Sequence, residues 1–383
     1  MFHSIVEKFS LTDAKKVKSF ERVTKHDVKA IEYFLKEKLG KSSLKDILPF
    51  IHFGLTSEDV NNLAYGCMLT ESKNAVIVPR LESLLKELKI LANNNGKSYM
   101  VARTHGQPAV PTTFGKEMAV FYARIATIEK KLRTFRFDAK LNGAVGNYNA
   151  LAFAYPKINW LRFGGEFISS IGLTPNLITT QILPADNFVE YGFLLYQLNT
   201  ILIGFCQDMW SYISRGLVAQ VKDARQVGSS TMPQKINPIH FENAEGNLQI
   251  ANSFFELFAR KFPVSRLQRD LSDSTVKRSI GSALAYTTLA WETLEKGLGK
   301  ISFDRNAASS ELDGHWEVLA EAMQIYFKLH GDEQGYEKVK EKLMGKKLTE
   351  KEYKELVSKY PSLARLTPRA YIGLAEKIVK KIV

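Results

Sequence analysis

Residues 114–135 read FGKEMAVFYARIATIEKKLRTF, and their apolar side chains recur every three or four positions. The recurring residues are Phe114, Met118, Phe121, Ile125, Ile128, Leu132 and Phe135. This spacing places them on one face of an α-helix, and it predicts a helix from Thr113 to about Asp138, about seven turns long. A helix of this length favours a bundle of long helices.

The rest of the chain supports an all-α fold. Segments 188–221, 241–261 and 275–298 have the same helical spacing, and strand-like alternation is scarce. The order Thr-Ser-Glu-Asp from Thr56 is typical of a helix start, with a cap followed by acidic residues. We predict three parts. They are the remainder of an N-terminal helical domain at 1–55, a central long-helix bundle at 56–299 and a small, lysine-rich helical domain at 300–383.

Composition limits the class of protein. The 383 residues are 45% hydrophobic and 24% charged, with 24 Gly and 12 Pro, which excludes collagen-like, low-complexity and mostly disordered chains. The two cysteines, Cys67 and Cys206, are too far apart in sequence to indicate a disulfide framework or a zinc site. The start of the chain does not resemble a signal peptide, so we expect a reducing, cytoplasmic location.

The most apolar stretch, Phe193 to Trp210, is interrupted by polar residues. These are Gln197, Asn199, Thr200, Gln207 and Asp208. Polar groups are costly in hydrocarbon and easily satisfied between packed helices, so the pattern predicts a buried helix and no membrane span.

The chain is basic, with 53 lysine and arginine residues against 40 acidic ones and a formal charge of +13. Such a charge favours anionic partners. The lysines are scattered, however, and lack the basic runs with interleaved aromatic residues of an RNA-binding module. We therefore interpret them as a solvated surface and expect no nucleic-acid partner.

Four polar stretches rich in Gly, Ser, Thr, Asn and Pro separate the helices, at 101–112, 142–149, 176–186 and 222–238. We predict that they are loops. Three of them place an ionisable or amide group beside residues that free the backbone for close approach to a ligand. These loops are the candidate site.

Residues 228–238, GSSTMPQKINP, resemble the GSSxMPxKxN loop of the fumarase/aspartase superfamily. THGQ at 104–107 and HFGLTSED at 52–59 resemble two further regions of that superfamily, in the same order. The closest resemblance is to the bacterial-type branch of the adenylosuccinate lyase family, from about Glu21 to the C-terminus. It is carried by TKHDV at 24–28, RTHGQP at 103–108, NGAVGNYN at 142–149 and FENAEGN at 241–247.

The resemblance implies an all-α fold, a long helical bundle with smaller flanking helical domains, that assembles as a homotetramer. It implies active sites built from three subunits, a small-molecule nucleotide substrate, and no metal or organic cofactor. The implied reaction is cleavage of adenylosuccinate to AMP and fumarate, and of the related succinyl-carboxamide imidazole ribotide, by β-elimination. No nucleic acid or membrane partner is implied.

The resemblance also implies roles for individual residues. Ser229 is the expected base, and His105 is the expected acid, paired with Glu242. Lys235 and Asn237 are expected to stabilise the negative charge that develops on a substrate carboxylate.

Substrate contacts are expected at further positions that match the family. These are His26, Asp27, His52, Thr56, Ser57, Thr104, Gln181, Arg269, Ser274 and Arg278. The helix start at Thr56 and Ser57 suits an anionic oxygen, and guanidinium groups suit a phosphate. His240, His315 and His330 have no such support and are interpreted as structural or surface groups.

Three alternatives stay open at this point. A sister lyase, such as argininosuccinate lyase or fumarase, would share His105 and Ser229 and differ in the nucleotide pocket. The second alternative is a non-catalytic structural protein on the same fold, of the kind the superfamily includes as a lens crystallin. The third is a nucleic-acid-binding scaffold, which the charge alone suggests. Nothing matches the Arg-Tyr phosphate contact that such relatives carry upstream, so the chain is either shortened or builds its phosphate site differently.

Overall fold

The computed structural model describes residues 2–221, 231–232 and 234–382. About 66% of the chain is helical, which confirms the all-α prediction. The described helices are α1 Phe2–Glu7, α2 Leu11–Thr24, α3 Asp27–Leu39, α4 Ser57–Ser72, α5 Val78–Asn94, α6 Phe114–Thr134, α7 Asn149–Ala154, α8 Trp160–Ser170, α9 Asp186–Ser214, α10 Ile239–Lys261, α11 Ser272–Lys277, α12 Ile280–Leu298, α13 Arg305–Asp313, α14 Ala320–Leu329, α15 Gly335–Leu343, α16 Glu350–Leu356, α17 Pro361–Ala364 and α18 Ala375–Ile382. The described strands are β1 Tyr99–Thr104, β2 Gln107–Thr113, β3 Asp138–Ala139, β4 Thr174–Pro175, β5 Val218–Gln220 and β6 Ile301–Phe303.

Helix α6 confirms the prediction from the opening stretch but ends at Thr134 instead of Asp138. After it, Phe137 is buried and packs edge-on against Tyr191, with 4.9 Å between ring centroids. The next two residues form β3, which pairs in parallel with β4. Burial of an aromatic ring and strand pairing therefore end the helix before its apolar spacing does.

The stretch 101–112, predicted as a loop, is most of an antiparallel hairpin of β1 and β2. The loop prediction is wrong because two-residue hairpin turns carry the same Gly signal as open loops. The β1–β2 hairpin places Met100, Val101 and Thr113 in buried positions.

Two other helical predictions need smaller corrections. Segment 188–221 is helical only as far as Ser214, after which Gly216 has a φ of 73° and β5 pairs with β6. Segment 275–298 is divided into α11 and α12.

Helix α9 contains the most apolar stretch, and it is the one described helix long and apolar enough to span a membrane by length and composition. Its polar residue Asn199 is fully buried. Asn199 donates to the Thr287 hydroxyl at 3.1 Å and accepts from the Trp291 ring nitrogen at 3.3 Å. Hydrogen bonds to α12 thus satisfy the amide.

The described contacts divide the chain into two compact units. Unit 1 comprises Met1–Val76, Thr134–Phe193 and Phe255–Ile280, and unit 2 comprises Ile77–Arg133, Leu194–Phe254 and Gly281–Val383. A core cluster in unit 2 joins β1 to the C-terminal helices through Val101, Trp316 and Tyr353. The division into domains at 1–55, 56–299 and 300–383 stays a prediction.

Candidate functional site

The expected site residues fall into both units. Unit 1 contains His26, Asp27, His52, Thr56, Ser57, Gln181, Arg269, Ser274 and Arg278. Unit 2 contains Thr104, His105, Lys235, Asn237 and Glu242. Ser229, the expected base, lies outside the described residues.

The start of α4 is a closed capping box. Thr56 is the N-cap, and its backbone N–H donates to Asp59 Oδ2 at 2.9 Å. The predicted helix start is confirmed at this residue. Because the first N–H groups of a helix have no intrahelical acceptor, this end of α4 suits an anionic oxygen.

His26 lies beside this helix start. Its Nδ1 accepts the Lys29 N–H at 3.2 Å, so His26 caps α3 with its ring. Nδ1 is therefore unprotonated, and the neutral ring carries its proton on Nε2. Nε2 lies 3.2 Å from Ser57 Oγ and donates to it, which leaves the Ser57 hydroxyl hydrogen free to bind a ligand oxygen.

A charged network surrounds Glu58, which is 4% exposed. One carboxylate oxygen accepts from Arg269 Nη1 at 3.3 Å, and the other lies 3.5 Å from Lys277 Nζ. Lys277 also pairs with Asp273 at 2.7 Å. Burial disfavours the charged lysine, but Glu58 and Asp273 outweigh burial and raise the pKa of Lys277. The guanidinium of Arg269 is thus held against the first turn of α4.

His52 has a left-handed backbone, with a φ of 62°. Its Nδ1 lies 3.9 Å from Glu32 Oε2, and its Nε2 is buried with no hydrogen-bond partner among the described residues. Burial opposes ionisation of Glu32, yet hydrogen bonds from Lys29 and Lys36 lower the pKa of that carboxyl. An unpaired buried ring nitrogen is costly.

Lys140 and Asp59 form an ion pair in which both side chains are fully buried, with 3.0 Å between Nζ and Oδ1. Burial lowers the pKa of Lys140, and the Asp59 carboxylate opposes that shift. Sequence reasoning did not select Lys140, because a lysine is usually exposed. Its position two residues before the polar stretch 142–149 was the available signal.

Gly146, in the same loop, has a φ of 84°, and a Cβ there would lie 2.2 Å from the Thr179 carbonyl oxygen. We expect Gly146→Ala to lower the free energy of unfolding by about 2–4 kcal/mol, from left-handed strain plus the clash. Gly172 is a matched control, with a φ of 83° and nothing within 4 Å of its Cβ position. Gly172→Ala should show the strain alone, and equal losses in urea unfolding would contradict the clash.

His105 occupies the turn of the β1–β2 hairpin in unit 2. His105 and Gly106 have φ values of 52° and 75°, and positive φ at both central residues is the mark of a type I′ turn. The His105 side chain is exposed at the tip. Histidine tolerates this conformation better than most residues, so the turn presents the ring at little cost.

Hydrogen bonds from two arginines hold the hairpin turn in place. Arg103 donates to the Gly106 carbonyl at 3.0 Å and to Glu311 at 2.5 Å, and Arg215 donates to both Glu311 oxygens at 2.7 Å. Burial of Glu311 opposes ionisation, but Arg215 and Arg103 outweigh burial and lower the pKa of Glu311. This network fixes the backbone next to His105.

Glu242, the expected partner of His105, is exposed near the start of α10. It accepts the Trp210 ring N–H at 3.2 Å. Among the described residues, His105 makes no hydrogen bond to it, so the pairing stays a prediction. Lys235 is exposed, and its backbone N–H donates to the Met232 carbonyl at 3.1 Å.

Other expected positions have simpler surroundings. Thr104 ends β1 opposite Gln107, Asp27 accepts from Asn61 at 3.4 Å, and Arg278 is exposed beyond α11. Within the described ranges, no three or more His, Cys, Asp or Glu side chains are placed to hold a metal ion. That the reaction needs no metal stays a prediction.

The sequence matches the family described as Lyase over residues 1–251 and the family described as Adenylosuccinate lyase C-terminal over residues 265–372. Proteins named adenylosuccinate lyase are 43% identical in Legionella pneumophila (strain Corby), 44% in Haemophilus influenzae and 43% in Escherichia coli (strain K12). These matches cover 98–99% of this chain and 84–85% of the relatives. The chain belongs to the adenylosuccinate lyase family.

Solved structures agree with this family fold. A fumarate lyase from Mesorhizobium sp. BNC1 superposes with a TM-score of 0.79 at 18% identity, covering 99% of this chain and 87% of that one. A 3-carboxy-cis,cis-muconate lactonizing enzyme from Pseudomonas putida gives the same TM-score and identity over 98% and 85%. At this identity the likeness shows the fold, which is the predicted superfamily fold.

Proposed function

We propose that this chain cleaves adenylosuccinate to AMP and fumarate, and the related succinyl-carboxamide imidazole ribotide to its carboxamide and fumarate. The observation that carries the proposal is 42–44% identity, over 98–99% of the chain, to proteins named adenylosuccinate lyase. The chain also matches the C-terminal part specific to that family.

The proposed reaction is a β-elimination. Ser229, as an alkoxide, removes a proton from the succinyl carbon next to a carboxylate, and the electrons of that C–H bond move into the carboxylate. Lys235 and Asn237 stabilise this developing charge. The C–N bond then breaks, and the departing nitrogen takes a proton from His105.

Binding groups in unit 1 suit the anionic ends of this substrate. The Ser57 hydroxyl, oriented by His26, and the N-terminus of α4 can bind carboxylate or phosphate oxygens. Arg269 supports phosphate binding, because a guanidinium can donate two parallel hydrogen bonds to it.

We infer that the protein forms a homotetramer in the cytoplasm. Large apolar side chains on its long helices remain solvent-exposed in the single chain, and a second copy would cover them. They include Phe193 at 50%, Leu289 at 49%, Trp210 at 47% and Ile250 at 43% exposure.

An ultraviolet assay that follows loss of adenylosuccinate and release of fumarate tests the proposed activity. Argininosuccinate and fumarate, supplied to the same protein, test the sister-lyase alternatives. Faster turnover of argininosuccinate than of adenylosuccinate would overturn the substrate assignment.

We expect Arg269→Lys to raise KM for adenylosuccinate about 10- to 100-fold, because hydrogen bonds to a charged group contribute about 1.5–3 kcal/mol. The kcat should change less, since phosphate lies away from the bond that breaks. Arg266 is the matched control: it is three residues earlier, 81% exposed and paired only with Asp270 among the described residues. Arg266→Lys should leave KM unchanged, and an equal effect of both variants would contradict a phosphate role for Arg269.

A further inference from the structure

Asp59 binds two separate segments of unit 1. At the start of α4, its Oδ2 accepts the Thr56 N–H at 2.9 Å. In the loop after β3, its oxygens accept the N–H groups of Asn142 and Gly143, each at 3.1 Å. Asp59 therefore fixes the distance between the α4 start and this loop.

Lys140 adds a third segment. Its ammonium donates to Asp59, to the Gly143 carbonyl at 3.0 Å and to the Gln181 carbonyl at 2.8 Å. An ammonium has three N–H donors, so all of them have acceptors. A second contact, between the Asn142 side chain and the Thr179 hydroxyl at 2.8 Å, joins the same two loops.

Stability alone does not account for such a pair. Well-packed apolar residues in place of a buried ion pair often give an equally stable or more stable fold. The residues that this pair holds include Thr56 and, through its backbone carbonyl, Gln181. Both residues are expected to contact the substrate. We propose that Lys140 and Asp59 are positioning residues for substrate binding, which hold the α4 start, residues 142–143 and Gln181 in one arrangement. The proposal rests on the proposed function.

The test is the double variant Lys140→Met/Asp59→Asn. It removes both charges together, so neither is left buried alone, and the asparagine keeps an acceptor oxygen for the α4 cap. We expect a folded protein whose kcat/KM for adenylosuccinate falls about 10²-fold, because a displacement of about 1 Å in positioning groups costs about that much. KM should rise, since the displaced groups bind substrate.

Lys73 provides a matched control in the same unit. It is 4% exposed, and its ammonium donates to the Phe135 carbonyl at 2.9 Å. Lys73→Met should lower the melting temperature and leave kcat and KM within about twofold. A purely structural role of the Lys140–Asp59 pair would give the same result for the double variant.

If the parent cleaves adenylosuccinate and a folded double variant keeps kcat and KM within threefold of the parent, the positioning inference is overturned and the proposed function stands. If the double variant does not fold, single-residue hydrogen exchange on the parent decides. The Thr56, Asn142 and Gly143 amides should share one opening equilibrium, and a tenfold spread among them would overturn the inference. This readout needs no activity, so it separates failure of the positioning role from failure of the proposed function.

Discussion

We expect the Ser229→Ala variant to lose about 10³-fold or more in kcat while it binds adenylosuccinate within a few fold of the parent. A positioned base contributes about 10²–10⁴-fold to a proton transfer, and alanine has no hydroxyl that could be deprotonated. Loss of kcat at unchanged affinity is the signature of an interaction made only in the transition state. Steady-state assays give kcat, and calorimetric titration of the inactive variant with adenylosuccinate gives the affinity.

Thr231→Ala is the control for this prediction, because the motif GSSxMPxKxN leaves that position unspecified. It should retain kcat within about threefold. A Ser229→Ala variant within tenfold of the parent would refute the assignment of the base.

The second large effect is expected from His105→Gln, which should bind substrate but lose about 10²–10⁴-fold in kcat. The amide of the substituted side chain can still form a hydrogen bond, but it cannot supply a proton at neutral pH. Glu242→Gln should change the pH profile of kcat if the two residues pair. An unaltered profile in Glu242→Gln would argue against the pairing.

Inactive variants also test whether the His105 and Ser229 of one active site come from the same chain or from different chains. In this single chain, Glu242 binds Trp210 and His105 stands exposed at a hairpin tip. If subunits share sites, co-refolding His105→Gln with Ser229→Ala in equal amounts regenerates about a quarter of the sites with both residues intact. Each variant refolded alone is the control. Tetramers, verified by ultracentrifugation, that regain no activity would show that each site comes from one chain.

Sequence periodicity was most informative where burial decides structure. The spacing in α6 and α10 predicted these helices because one face of each must be apolar. The β1–β2 hairpin was missed since Pro108 and Pro111 interrupt any strand signal, and its His105-Gly106 turn resembles an open loop.

Charged residues were harder to place than apolar ones. A sequence does not show which lysine meets a carboxylate far along the chain, as Lys140 meets Asp59 at a separation of 81 positions. The family motifs, by contrast, selected Ser57 and His26, which do lie within hydrogen-bond distance. A sequence motif identifies the chemical groups of a site, whereas the hydrogen-bond and ion-pair partners of those groups depend on tertiary packing.

Each compact unit is assembled from three stretches of chain that alternate along the sequence. During synthesis, the segment ending at Val76 leaves the ribosome long before Phe255–Ile280, which completes its unit. At about 5–20 residues per second, roughly 10–40 s separate the two events. Local cores, such as that of Val17, Ala30 and Phe34 between α2 and α3, can form in the interval, but the unit is still incomplete. The apolar surface of unit 1 that packs against Phe255–Ile280 is therefore open to chaperones and proteases until about residue 280 has emerged, and unit 2 is completed later still, by Gly281–Val383.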